Sequence, residues 1–342
     1  MFAVTRGAAD VRDARIVVEW ITGRHRSFDR AVFCHPGVAL GAVHATLGPG
    51  DVMFVPRGTS VETAAHVIPY DGAFDDIGDT LHVAGHSVEL QHYAAAAYVE
   101  LIGPTAVRFL DAAGWRAFLA DADLARSSGV FTSPLTDVRL RLADEDVLRD
   151  PFAERVPASL HFHADGHTTA GAQGGTLKGN EVDAPQPRWL ALAGVTEAGQ
   201  LVDDLACRPW LGRFLRAAHL IGALPSDDAP LLVDGFGWSA LDTDGVVVEP
   251  QCDDPFLVKT PSGVTLADLR TRRRHRLPAD SVAVVAAVQR SADLPTAAER
   301  VSAELGVALS AGERLCSEAV EFLGVRPGVP ALSADAVAGG GA

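Results

Sequence analysis

The spacing of apolar positions divides the chain into three stretches. Over 1–129, short apolar runs bounded by Gly and Pro predict buried strands at RIVVEWI, RAVFCHPGVAL and DVMFVP, the last closed by Pro56 and Gly58. Helices are expected at HSVELQHYAAAAYVELIG and at DAAGWRAFLADADLARS, where Asp111 stands ready to cap the first turn. This first stretch reads as a mixed α/β domain. Over 130–230, VRLRLAD and SLHFHADG predict strands, GAQGGTLKGNEV a loop, and TEAGQLVDDLA and PWLGRFLRAAHLIGAL helices. In the last of these, Leu211, Leu215, Ala218 and Gly222 fall on one face.

LPSDDAP, at 224–230, has the composition of a linker. Beyond it, 231–328 reads as a separate domain. LLVDGFGWSALDTDGVVVEP is β-like, with turn signals at Asp234-Gly235 and Asp244-Gly245, and PFLVKTPSG follows as a strand. An arginine-rich TRRRHR then precedes three helical patterns, ADSVAVVAAVQ, LPTAAERVSAEL and SAGERLCSEAVEFLGV. The tail over 329–342 carries too little apolar surface to order itself. The fold class expected is therefore α+β, closing on a winged-helix unit of three strands and three helices.

Within that unit, the first helix is expected to start near Ala279–Asp280 and to bury Val284, Val285 and Val288. The second carries Pro295 in its first turn, a stripe of Leu294, Ala298, Val301 and Leu305, and Gly306 as a left-handed stop. Ser310 and Glu313 match a capping box for the third, which would turn Leu315, Ala319, Phe322 and Leu323 inward and end at Gly324. This third helix bears Glu313, Glu318 and Glu321 against Arg314. Such a surface repels phosphates, so a winged-helix regulator reading DNA is disfavoured.

Strand, helix and then LPTAAERVSAEL and AGERLCSEAVEFLGV resemble the PqqD-type recognition element of ribosomal peptide natural-product (RiPP) pathways. The resemblance is confined to 231–328 and rests on spacing and element order. It implies capture of a precursor's leader peptide as an extra strand on the third strand, beside the third helix. Either VTLADLR or RRRHRL supplies that third strand. The whole arrangement is also similar to the stand-alone recognition proteins of daptide-type pathways. That implies partners among the pathway's modifying enzymes, a dehydrogenase and an aminotransferase. If RRRHRL is the strand, Arg272, Arg274 and Arg276 share one face and offer a basic edge; the plainer alternative is a solvated loop. Leu315, Ala319 and Phe322 either line the binding groove or fill the core.

Composition narrows the partners. The 342 residues carry 29 Lys and Arg against 44 Asp and Glu, a net charge of −15, which disfavours generic binding to nucleic acid or anionic membrane. No run approaches the roughly 18 apolar residues of a membrane span. The first twenty residues lack a signal-peptide pattern, and Cys34, Cys207, Cys252 and Cys316 share no paired spacing. A cytoplasmic protein with idle thiols is expected.

Two motifs point toward enzymes. GDVMFVPRG, from Gly50 to Gly58, matches part of a cupin motif, but Thr59, Ser60 and Val61 stand where a histidine ligand would follow. A structural hairpin is the simpler reading. His161, His163 and His167 in HFHADGH form the densest imidazole cluster, and His161 and His163 would share a strand face able to chelate an ion. Histidines beside a turn are common, and His82, His86 and His92 are weaker still. No P-loop, dinucleotide fingerprint or nucleophile elbow is present. The expectation is a non-catalytic recognition and scaffold protein without cofactor, binding a leader peptide and docking modifying enzymes. The alternatives are a cupin-like metal enzyme and the winged-helix regulator.

Overall fold

The computed structural model describes residues 8–43, 47–224, 231–241 and 248–330 of an α+β protein. Two compact units divide it, Met1–Leu119 with Asp137–Val202, and Ala120–Thr136 with Asp203–Ala342. Residues 137–202 of the expected middle stretch thus belong to the first unit and 203–224 to the second. The expected linker at 224–230 apart from Leu224, the Asp244-Gly245 turn and the expected tail beyond 330 lie outside the described residues, while Val329 and Pro330, assigned to that tail, instead form a strand paired with Val248 and Glu249. Among the described residues no helix is long and apolar enough to cross a membrane.

The chain begins with α1 (Ala8–Thr22), β1 (Ala31–Cys34), β2 (Val52–Pro56), β3 (His66–Gly72), β4 (Thr80–Val83), β5 (His86–His92) and β6 (Thr105–Arg108). Next come α2 (Ala112–Ser128), the short α3 (Ser133–Thr136), β7 (Leu140–Leu142), β8 (Glu154–Arg155), β9 (Ser159–Phe162), β10 (Thr168–Ala170), β11 (Thr176–Leu177) and β12 (Gln186–Pro187). Then follow α4 (Ala198–Ala206), α5 (Leu211–Ala223), β13 (Leu232–Asp234), β14 (Gly237–Trp238), β15 (Val248–Glu249), β16 (Phe256–Thr260), β17 (Gly263–Asp268) and β18 (Arg273–Leu277). Three helices, α6 (Ala279–Gln289), α7 (Leu294–Leu305) and α8 (Leu309–Glu318), precede β19 (Val329–Pro330).

The first unit is organised by a ten-stranded mixed sheet in the order β11-β10-β9-β1-β2-β3-β4-β5-β6-β7. Its centre, β9-β1-β2-β3, is parallel throughout. Such strands are covered on both faces, which is why AVFC and VMFV read as unbroken apolar runs. Phe33, Phe54 and Ile68 lie in register and pack on α1. Val32, Cys34, Met53 and Val55 fill a second cluster on the other face with Leu160 and Ala170.

Expectations fail in this unit at α1 and at β5. RIVVEWI belongs to α1, because Ile16, Val17, Trp20 and Ile21 recur at helical spacing and bury one stripe, while Val18 faces solvent. Trp20 stacks on Phe33 with ring centroids 5.1 Å apart. HSVELQH is β5, not a helix, since Val88 and Leu90 alternate into the core. Its hairpin with β4 turns on Ala84 and Gly85, both at positive φ. Alanine is uncommon there, so the turn carries no Asn-Gly signal for the sequence to show. Asp111 does cap α2, accepting from the Gly114 amide at 2.8 Å.

In the second unit a sheet of order β14-β13-β16-β17-β18 lies with α6, α7 and α8. Leu257 and Leu266 of the sheet share one apolar cluster with Val285, Val288, Ala298, Val301 and Cys316 of the helices. Gly306 ends α7 at φ 63, as its position promised. The capping box is not formed: α8 starts at Leu309 after Ala308, with no side-chain cap, so Ser310 lies inside the first turn. Gly312 sits where any side chain would collide, its Cβ position being 2.7 Å from the Ala298 carbonyl oxygen. That close approach brings α8 against α7.

Buried polar groups tie this unit together. Asp234, fully buried, accepts from Arg290 Nη2 at 2.9 Å and from the Ala240 amide at 2.7 Å. Asp254 accepts from the Arg326 amide and Nε at 2.9 and 2.8 Å. Arg213 lies over the Phe256 ring at 4.1 Å and donates to the Asp254 and Pro255 carbonyls.

Candidate functional site

Strand β18 ends the second unit's sheet. Among the described residues it pairs with β17 alone, antiparallel, leaving its other edge open. The segment RRRHRL is therefore this last strand and VTLAD lies in β17. Arg272 is not in the strand: it occupies the preceding turn at φ 57. The register fixes the two faces. His275 is opposite Leu266 and Leu277 opposite Val264, both in the helix-facing cluster, so Arg273, His275 and Leu277 point to the helices' side. Arg274 and Arg276 point to the opposite side.

Residues Arg273 to Arg276 are all exposed. None of Arg272, Arg273, Arg274 or Arg276 has a carboxylate partner among the described residues, although Arg276 donates to the Ser262 carbonyl. Unpaired positive charge along an edge repels a second copy of the same edge and favours an acidic strand.

After β18 the chain passes through Pro278 into α6, whose start lines a groove of about 400 Å³ with the end of α7 and with α8; no β18 residue is among its lining. Val284, Leu305, Val307, Leu315, Phe322 and Leu323 give it apolar walls, with Asp280 and Glu318 among its polar lining. Leu315 and Ala319 line this groove while also contributing to the core. Phe322 corrects the expectation of an inward side chain, for it is 73% exposed. Its segment, Ala319–Leu323, is a π-turn continuing α8, and the widened turn departs from the α-helical spacing that assigned Phe322 to the inner face. The sequence did not single out Arg273 or His275, and it marked Val284 of α6 and Leu305 of α7 only as core positions. Their roles depend on strand phase and helix packing, and neither has a local signal beyond alternation from the turn.

The imidazole cluster of the first unit has a different character. His161 is buried against Trp20 and Phe33, and its Nδ1 lies 3.3 Å from Nε2 of His35. His35 Nδ1 is in turn 3.3 Å from Asp75. His163 stacks on His35 at 4.3 Å and on His167 at 4.0 Å, and its Nε2 contacts Thr169 Oγ1 at 3.2 Å. His167 bonds Asp165. The rings are thus stacked and separately partnered. Among the described residues no group of three or more His, Cys, Asp or Glu is placed to hold a metal ion. Burial, with Arg108 and the neighbouring imidazoles, holds His161 well below the usual histidine range, so it is neutral at pH 7. The hydrogen bond from His35 lowers Asp75. Sequence distance hid both His35 and Asp75 from the HFHADGH motif.

GDVMFVPRG does not form the expected hairpin, because β2 runs parallel to both neighbours. His82 contacts Ser87 across the β4-β5 hairpin, and His92 lies 3.2 Å from Asp111. Burial pushes the Cys34 thiol up to about 12, and no described cysteine is in a disulfide.

Asp144 carries the clearest titration signature. Burial pushes its carboxyl up to about 6, only partly opposed by Arg108. A raised folded value means stability present below the unfolded value of 3.8 and lost as pH rises through about 6. Asp144→Asn removes that ionisation, and asparagine suits the left-handed backbone at φ 52. Urea unfolding at pH 7 is expected to show a gain of about 2 kcal/mol that vanishes near pH 4.

No known protein family, curated protein or solved structure matches the chain.

Proposed function

We propose that the second unit is a winged-helix peptide-recognition module of RiPP biosynthesis, taking a precursor's leader as an added antiparallel strand on β18. The reading is carried by the open, arginine-lined edge of β18, which leads directly into α6, one wall of an apolar groove bearing an exposed phenylalanine. Main-chain hydrogen bonds along the edge supply affinity, and alternate side chains supply specificity. Residues of the added strand that face the helices enter the groove at Leu315, Ala319 and Phe322. Those between them meet Arg274 and Arg276, so the favoured segment alternates apolar with acidic positions. Such a module acts by concentrating the peptide near its modifying enzymes, and a dehydrogenase and an aminotransferase are the proposed partners. The carboxylates of Glu313 and Glu318 in α8, and of Glu321 in the π-turn that continues it, disfavour DNA as the ligand.

Fluorescence polarisation with the leader of a short precursor encoded beside this chain tests the reading. Saturable binding is expected, and a flat titration would count decisively against it. Arg274→Glu with Arg276→Glu should weaken that binding about tenfold at low salt and much less at high salt. Equal losses at both salt levels would show that the edge charge plays no steering part.

A further inference from the structure

The first unit contains a cavity of about 80 Å³ that the peptide reading leaves unused. Arg26, Arg155 and Arg188 line it together with Asp144, Asp146 and Ser159. Strands β8 and β12 form a ribbon in which Arg155 stands directly opposite Gln186, so these two side chains project together and both line the cavity. Arg188 is held in place by the carbonyl and carboxylate of Asp146. Among the described residues Arg26 and Arg155 make no hydrogen bond or ion pair to a carboxylate; burial opposes the charge on Arg26, Asp146 supports it, and Arg188 and Arg155 oppose it. Ser159 Oγ accepts from Trp20 Nε1 at 3.2 Å and keeps its own proton to donate.

Three guanidiniums thus converge on a space larger than the roughly 30 Å³ share of one water. Asp144 and Asp146 offset part of this charge, Asp146 being engaged by Arg188, and three guanidiniums against two carboxylates leave a positive excess that an anion would relieve. Guanidiniums match tetrahedral oxyanions through paired N–H donors. Trp20 and Phe28 wall the cavity and lower the local dielectric, which strengthens such pairing. The surplus is conspicuous in a chain of net charge −15.

We infer that this cavity is a binding site for a phosphate dianion, free or at the end of a small phosphomonoester, held by Arg26, Arg155 and Arg188. It involves none of the groove residues and stands independently of the peptide reading.

Isothermal titration calorimetry of the full chain with inorganic phosphate and, separately, with phosphoserine tests it. One equivalent of either is expected to bind, and Arg26→Ala with Arg155→Ala should weaken it by about tenfold or more. Both side chains are exposed, so this variant keeps its fold, with an unchanged melting temperature as the control. Arg274→Ala with Arg276→Ala should leave phosphate binding unchanged. Tighter phosphoserine assigns the ester, and tighter inorganic phosphate assigns the free ion. No saturation with either probe, or an equal loss in the Arg274 and Arg276 variant, overturns the site.

Discussion

Phe322→Ala is expected to weaken leader binding about 30-fold while leaving the fold intact. A large aromatic side chain at the centre of a recognition groove typically contributes about 2 kcal/mol or more when truncated, which is roughly that factor in affinity. Phe322 is 73% exposed, so its removal takes little from the core and the change in unfolding free energy should stay within about 0.5 kcal/mol. The two readouts separate recognition from stability. Unchanged affinity would mean the peptide does not use the groove. A large loss of stability would mean Phe322 packs as a core residue after all. Leu315→Ala makes the contrast, because Leu315 belongs to both groove and core and both readouts should fall.

Asp234→Ala should destabilise the second unit by about 3–5 kcal/mol, since it strands the buried Arg290 guanidinium and the Ala240 amide. Adding Arg290→Met, which replaces the stranded charge with an apolar side chain, should restore part of the loss. Urea unfolding followed by tryptophan fluorescence can report this through Trp210 and Trp238, which lie in the same unit. A loss below about 1 kcal/mol would show that water reaches the pair and screens it.

The second unit was legible because its signals are local. Gly306, the stripe of Ala298 and Val301, and the buried Val284, Val285 and Val288 each mark a helix within its own segment. α5 is similar, with Leu211, Leu215 and Ala218 buried as their spacing requires. The first unit was less legible. In α1 the β-branched run Ile16 to Val18 imitates a strand, and only the sheet that buries one side of it decides for helix. In β5 a run of alanines downstream suggested a helix, whereas the positive-φ turn at Ala84 sets a hairpin. For the proposed docking edge, sequence supplied the basic strand and the apolar positions of α8. It placed Arg272 in the strand, although that residue takes a left-handed turn and shifts the pairing start to Arg273. Convergence of Arg26, Arg155 and Arg188, or of His35, Asp75 and His161, comes from segments far apart in the chain and leaves no pattern in any one window.

Amide hydrogen exchange along Arg273–Leu277, recorded with and without saturating leader peptide, is the most direct examination of strand addition. The account predicts fast exchange at the outward-facing amides of β18 in the free protein and strong protection once the peptide is bound, with little change in β13 or β14. Bound peptide that leaves these amides exchanging freely, or amides already protected before it is added, would contradict it.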